Sequence, residues 1–224
     1  MGIVDGGVVK YISNVIPEFG GALGEIYEQA LKDKMPVIPP EAARFLAVIL
    51  SLAKPKNVLE IGCAVGFSAG IFAKYLPDGG HITTIDRYDF MITEAKKNFK
   101  KLGIEDKVTL IEGEALAVLK TLNESYDFIF MDAAKGQYIN MLPFCLRLLN
   151  LGGILLADDI FQNGDIIKDR LAVKRRQRTI HTRMRAFLEE VCAAKELEVS
   201  IIPIGDGMVL AHKVAECRNS ELER

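Results

Sequence analysis

The sequence predicts an α/β protein with a mostly parallel sheet and helices on both faces. Three observations carry that prediction. Apolar strand-like runs alternate with helical stretches from Asn57 onward. Half of the 224 residues (50%) are apolar, enough to bury a sizeable core. Finally, two apolar runs near the end meet across Gly205-Asp206-Gly207, a hairpin signal that adds one antiparallel strand.

Ahead of the alternation two helices are predicted. One runs from Glu18 to Lys34. The other starts after Pro39-Pro40 and sets Phe45, Val48, Ile49 and Leu52 on one side. Strands follow at Val58 to Ile61, His81 to Asp86, Lys107 to Ile111, Tyr126 to Met131 and Ile154 to Ala157. The helices between them are Phe67 to Tyr75, Tyr88 to Leu102, Ala115 to Thr121 and Tyr138 to Leu149. Val199 to Ile204 and Met208 to His212 close the sheet. Residues 1–56 read as helices of the same domain that cover a ligand or form a dimer contact. Residues 57–214 form the alternating domain, and 215–224 a polar tail. No repeat or linker divides the chain.

Composition excludes several classes. The net charge of -2 gives no global attraction to nucleic acid, so only a local patch could supply one. Cys63, Cys145, Cys192 and Cys217 are scattered, without a CxxC pair or histidines at zinc-finger spacing. A disulfide framework and a structural zinc are not expected, and a reducing compartment is. Met1 to Gly24 lacks a signal-peptide pattern, and Gly6 stands where myristoylation wants Ser or Thr. The longest apolar stretch, Ala42 to Ala53, is broken by Arg44 and too short for a bilayer. The expectation is a soluble cytoplasmic protein with no membrane partner.

The first candidate site lies after the first strand. Glu60-Ile61-Gly62-Cys63-Ala64-Val65-Gly66 is a glycine turn that lets backbone approach a ligand, and Asp86 ends the next strand, where an acid can accept from two ribose hydroxyls. Ala64 and Phe67 break the dinucleotide fingerprint, and no Gly-Lys-Ser/Thr exists for a P-loop. A nucleoside without phosphates, such as S-adenosylmethionine, fits better. Gly66-Phe67-Ser68-Ala69-Gly70 also matches a hydrolase nucleophile elbow, but the strand ends near Gly62. That puts Ser68 in the first helical turn, where it caps the helix or binds a donor carboxylate.

The second candidate site gathers Asp132, Asp158 and Asp159 at the ends of the fourth and fifth strands. Three carboxylates without His or Cys suit Mg²⁺, Mn²⁺ or Ca²⁺, although single acids after strands are usually helix caps or solvated. A metal would lower the pKa of an acceptor hydroxyl, and Lys135, three residues past Asp132, could serve as general base.

These motifs resemble the cation-dependent O-methyltransferases, the group of catechol and caffeoyl-CoA O-methyltransferases. The resemblance runs from about Met35 to Lys213 on Met35-Pro36-Val37-Ile38-Pro39-Pro40-Glu41, the Glu60–Ser68 turn, Asp132-Ala133-Ala134-Lys135 and Asp158-Asp159-Ile160-Phe161-Gln162-Asn163-Gly164. It implies a Rossmann-like class I methyltransferase fold with a seven-stranded sheet and a homodimer. Asp132, Asp158 and Asp159 would hold the metal, with Lys135 as base. Glu60, Gly62, Ser68, Asp86 and Asp132 would contact S-adenosylmethionine. Met35 and Val37 would close over it, and Gly113, Glu114 and Ala115 would meet the adenine. Asp159 departs from the family's usual Asn.

Within the family the chain is similar to bacterial tRNA 5-hydroxyuridine methyltransferases at Asp132-Ala133-Ala134-Lys135-Gly136-Gln137-Tyr138, at Lys174-Arg175-Arg176-Gln177-Arg178 and at Ile201 to Gly207. Arg170, Lys174, Arg175, Arg176, Arg178, Arg183 and Arg185 form a basic run with no acid from Arg170 to Phe187. Such a run binds a phosphate backbone or is a solvated helix face. Aromatic residues for base stacking do not interleave it. The similarity implies wobble 5-hydroxyuridine in tRNA as the expected acceptor, with a catechol or hydroxycinnamoyl-CoA ester as the alternative. Hydrolysis through Ser68 and donor binding without turnover remain further readings.

Overall fold

The computed structural model describes residues 4–216. The expectations placed on Met1-Gly2 and on the tail beyond residue 216 lie outside them. Two compact units divide the chain, one spanning Val4–Ala115 and the other beginning at Leu116.

The first unit opens with three helices, α1 (Gly6–Val15), α2 (Gly21–Lys32) and α3 (Pro40–Ala53). Pro40 opens α3 as expected, because a helix start has no use for the missing N–H. Sequence reading missed α1. It begins on two glycines and buries none of its residues, so it shows no core-facing stripe. Its signal is Asp5, whose carboxylate accepts from the N–H groups of Gly7 and Val8.

Then come β1 (Asn57–Ile61), α4 (Phe67–Tyr75), β2 (His81–Asp86), α5 (Asp89–Leu102) and β3 (Val108–Glu112). The strands pair in parallel in the order β3-β2-β1, with Val58 opposite Ile82 and Ile82 opposite Val108. Val58, Leu59, Glu60 and Ile61 are all buried, as in a parallel strand covered on both faces. Within α4, a Cβ on Gly70 would stand 2.7 Å from Leu23 and 2.8 Å from Leu102, so this glycine is a packing residue.

The second unit holds α6 (Ala115–Thr121) from its second residue on, then β4 (Tyr126–Met131), α7 (Tyr138–Leu148), β5 (Leu149–Ala157), α8 (Arg178–Ala193), β6 (Leu197–Ile202) and β7 (Met208–Lys213). Its strands are ordered β4-β5-β7-β6. β4 and β5 are parallel, and β7 runs antiparallel to both neighbours. The fold class is thus the one expected: the described residues hold seven strands, parallel within each unit except for β7, which runs against both of its neighbours. β5 starts earlier than expected, because Gly152-Gly153 reads as a break in the sequence but lies within the strand. The basic run begins in the loop ahead of α8 and ends on that helix, which buries His181, Met184, Phe187 and Val191 at helical spacing. No helix among the described residues is long and apolar enough to cross a membrane.

The thiols supply a test of this packing. Cys63 and Cys145 are buried and Cys192 is exposed. Burial pushes the Cys145 thiol from its ordinary 9.0 up to about 12. The folded chain therefore keeps a proton that the unfolded chain releases. The resulting stability is fully present below pH 9.0 and is lost as pH rises toward 12. Urea denaturation should show a decline as pH rises above 9.0 that Cys145→Ala makes shallower. An unchanged decline would mean the thiol is not held in the apolar interior.

Candidate active site

β1 runs out at Ile61 into a turn of left-handed backbone. Gly62 has φ 103° and donates its N–H to the Ile85 carbonyl at 2.9 Å. Gly66, with φ 78°, caps α4, and a Cβ there would lie 2.6 Å from the Phe99 ring. Only glycine meets both demands.

Asp86 binds this turn to the end of β2. One carboxylate oxygen accepts from Cys63 N–H (3.1 Å) and Ala64 N–H (2.9 Å). The other accepts from Arg87 N–H (2.7 Å) and Tyr88 N–H (3.0 Å). A carboxylate offers about four acceptor positions, so a ribose would have to share or displace one of these amides. Glu60 is fully buried and accepts from the Ser68 and Thr84 hydroxyls. Ser68 is the second residue of α4, inside the helix, and its hydroxyl is engaged by a carboxylate. That arrangement removes the nucleophile-elbow reading.

The other donor-site candidates stand in the same unit. Met35 and Val37 are half-buried on the strand-free segment between α2 and α3, where Met35 N–H bonds to the Ala30 carbonyl at 2.8 Å. Gly113 N–H donates to the Asp86 carbonyl at 2.8 Å. The Glu114 carboxylate is paired with Arg87, and Ala115 opens α6.

The second group of candidates lies in the second unit, where β4 and β5 end side by side. Lys135 Nζ stands 2.8 Å from Asp132 Oδ1 and 3.0 Å from Asp159 Oδ2. Burial alone would drive its proton off, but Tyr138, Asp132 and Asp159 outweigh burial and hold the ammonium protonated. Asp158 is 2% exposed and accepts the Asp159 N–H at 2.7 Å. Burial, reinforced by Asp132 and Asp159, pushes its carboxyl up to about 8.

Three acidic side chains crowd one ammonium, and the raised Asp158 carboxyl is the sign of negative charge that Lys135 does not offset. Among the described residues no group of three His, Cys, Asp or Glu side chains stands at metal-ligand spacing. The Lys135 ammonium stands between Asp132 and Asp159 instead. The all-oxygen donor set and its uncompensated charge fit a hard dication.

Tyr138 was not among the expected site residues. It is wholly buried at the start of α7, and its hydroxyl donates toward the Met131 carbonyl (3.0 Å) and the Asp158 carbonyl (3.1 Å), bridging the ends of β4 and β5. Lys135 Nζ reaches the same oxygen at 3.4 Å. The sequence signal was its place three residues beyond Lys135.

The basic run splits by role. Arg170, Lys174, Arg175 and Arg176 are exposed ahead of α8, and Arg183 and Arg185 are exposed on it. Arg178 has partners within the chain. Its guanidinium donates to the Val173 carbonyl (3.0 Å) and the Leu171 carbonyl (2.8 Å), so it pins its own loop and is half-buried. Arg183 donates to the Gly136 carbonyl at 3.2 Å, next to Lys135.

The O-methyltransferase family model matches residues 19–214 of this chain. The chain belongs to the O-methyltransferase family. With that membership comes the reaction class, transfer of a methyl group from S-adenosylmethionine to oxygen. Among relatives of this O-methyltransferase, caffeoyl-CoA O-methyltransferase of Eucalyptus gunnii is 30% identical over 210 residues, which cover 90% of this chain and 84% of that one. Caffeoyl-CoA O-methyltransferase 5 of Nicotiana tabacum is 30% identical over 213 residues, covering 90% and 88%. The crystal structure of the Podospora anserina methyltransferase PaMTH1 with SAH bound superposes with a TM-score of 0.80 at 28% identity, over 92% of this chain and 93% of that one. In this O-methyltransferase Asp159 is an ion-pair partner of Lys135, which an Asn could bind only as a neutral acceptor.

Proposed function

We propose that this O-methyltransferase methylates the ring hydroxyl of 5-hydroxyuridine at the tRNA wobble position, assisted by a divalent cation. The observation that carries the reading is on α8. The exposed cations Lys174, Arg175 and Arg176 lead into the helix whose Arg183 holds the Gly136 carbonyl beside Lys135. A phosphate-binding surface and the candidate base thus share one supporting element.

Asp132, Asp158 and Asp159 would hold the cation, which when bound supplies the Lewis acidity that lowers the acceptor's pKa. Lys135 holds or takes the acceptor proton at Nζ. Tyr138 keeps the two strand ends that carry the acids in register. Glu60, Gly62, Ser68, Asp86 and the Gly113-Glu114-Ala115 backbone would hold the donor, with Met35 and Val37 over it. A tRNA substrate places the enzyme in the cytoplasm. The exposed Val8, Tyr11 and Val15 of α1 and Val48 and Leu52 of α3 would be the homodimer surface.

A second reading is a small-molecule acceptor: a hydroxycinnamoyl-CoA ester, as the caffeoyl-CoA O-methyltransferase relatives suggest, or a catechol. A catechol offers the same pair of adjacent oxygens. Labelled methyl transfer to undermodified tRNA and to a catechol, each with Mg²⁺ and with EDTA, separates them. Joint replacement of Lys174, Arg175 and Arg176 by Ala should raise KM for tRNA and flatten its salt dependence by roughly 0.7–0.9 log units per lost phosphate contact. Catechol turnover should not change. Labelling of the catechol alone would hand the acceptor to small molecules.

A further inference from the structure

The loop that follows Asp158 is built from unfavourable backbone. Asp159, Gln162 and Asn163 all lie in the left-handed region, with φ 58°, 55° and 54°, and Gly164 follows at 81°. Three non-glycine residues there demand outside support. The β6–β7 turn supplies it. Ile160 N–H donates to the Gly207 carbonyl at 3.1 Å, and Phe161 N–H to the Asp206 carbonyl at 2.9 Å. The Asp206 carboxylate then takes the Asn163 N–H on both oxygens, at 2.8 and 2.9 Å. Gly207 completes the fit. A Cβ at this position would lie 2.1 Å from the Phe161 ring, so the ring can lie flat on the turn only against glycine.

We infer that Asp206 is a positioning residue of the methyl-transfer site, holding the 159–164 loop so that the Asp159 carboxylate meets Lys135. It acts through the loop backbone. Both of its oxygens already face Asn163 N–H, which sets it apart from the three acids expected to bind a cation. The loop has no regular strand pairing of its own. Its registration on the β6–β7 turn runs through Gly207 and Asp206, and Asp206 contributes both a main-chain and a side-chain acceptor to it.

The inference rests on the methyl-transfer reading of the Asp132–Lys135–Asp159 group, and its test has one arm independent of turnover. Amide hydrogen exchange should rise about tenfold across residues 160–166 in Asp206→Ala, with β6 and the body of α8 unchanged. Asp206→Asn, which keeps an acceptor oxygen toward Asn163, should restore protection. In the kinetic arm, kcat for methyl transfer with Mg²⁺ should fall about tenfold or more in Asp206→Ala with KM for S-adenosylmethionine unchanged, and recover in Asp206→Asn. The acceptor is whichever of tRNA and catechol the wild type methylates. Unchanged exchange across 160–166 in Asp206→Ala overturns the inference. An Asp206→Asn variant as impaired as Asp206→Ala overturns it too, because the charge and not the acceptor would then matter. If the wild type methylates neither acceptor, the substrate reading fails by itself, while the exchange arm still decides the role of Asp206.

Discussion

Lys135→Ala is expected to lower turnover by roughly 10²- to 10⁴-fold, the range for loss of a positioned acid–base group, with S-adenosylmethionine affinity unchanged. Lys135 is the cation between Asp132 and Asp159, 2.8 and 3.0 Å away, and it touches the Tyr138 hydroxyl. The same neighbours hold its proton on. It could act as a base only if other positive charge offset the carboxylates, the electrostatic condition a dication on those acids would create. Lys135→Arg separates base from clamp. Arginine keeps the charge and cannot give up its proton, so it should be as inactive as alanine. Steady-state kinetics with donor titration calorimetry reads both quantities. Normal turnover in Lys135→Ala would sink the base assignment, and normal turnover in Lys135→Arg would leave Lys135 as an ion-pair clamp.

Asp132→Ala should abolish turnover and metal dependence together. The variant removes the carboxylate closest to Lys135 and one of three expected cation ligands. It also lessens the like-charge repulsion on buried Asp158, so the remaining pair has weaker reason to bind a dication. Asp159→Asn makes the contrast. It keeps an oxygen toward Lys135 while removing the charge, and should retain turnover within a few-fold. A Mg²⁺ titration of all three proteins checks this. Metal-stimulated turnover surviving in Asp132→Ala would remove Asp132 from the cation site.

Periodicity made most of the scaffold legible before any coordinates. α4, β2, α6 and β4 have the bounds their residue patterns imply, because a buried parallel strand and a covering helix each need a characteristic apolar run. The misses have physical causes. α1 buries nothing, so no stripe betrays it. β5 carries two glycines that mimic a turn. Arg178 is chemically indistinguishable from Arg176 until the loop carbonyls of Leu171 and Val173 fold back onto it.

The sequence by itself determined the α/β class, the reversed last strand, the glycine turn after β1 and the family, since these depend on local pattern and on motifs a few residues long. It also put Lys135 three residues from Asp132, and so paired them. Only the tertiary structure decided what those groups do to one another. Asp158 is pushed up to about 8 because burial and two acids from separate segments act on it. Asp86 is spent on four backbone amides drawn from two turns. Tyr138 and Asp206 act by bridging segments distant in the chain, and charge and hydrogen bonding depend on distance in space, which no spacing along a sequence states.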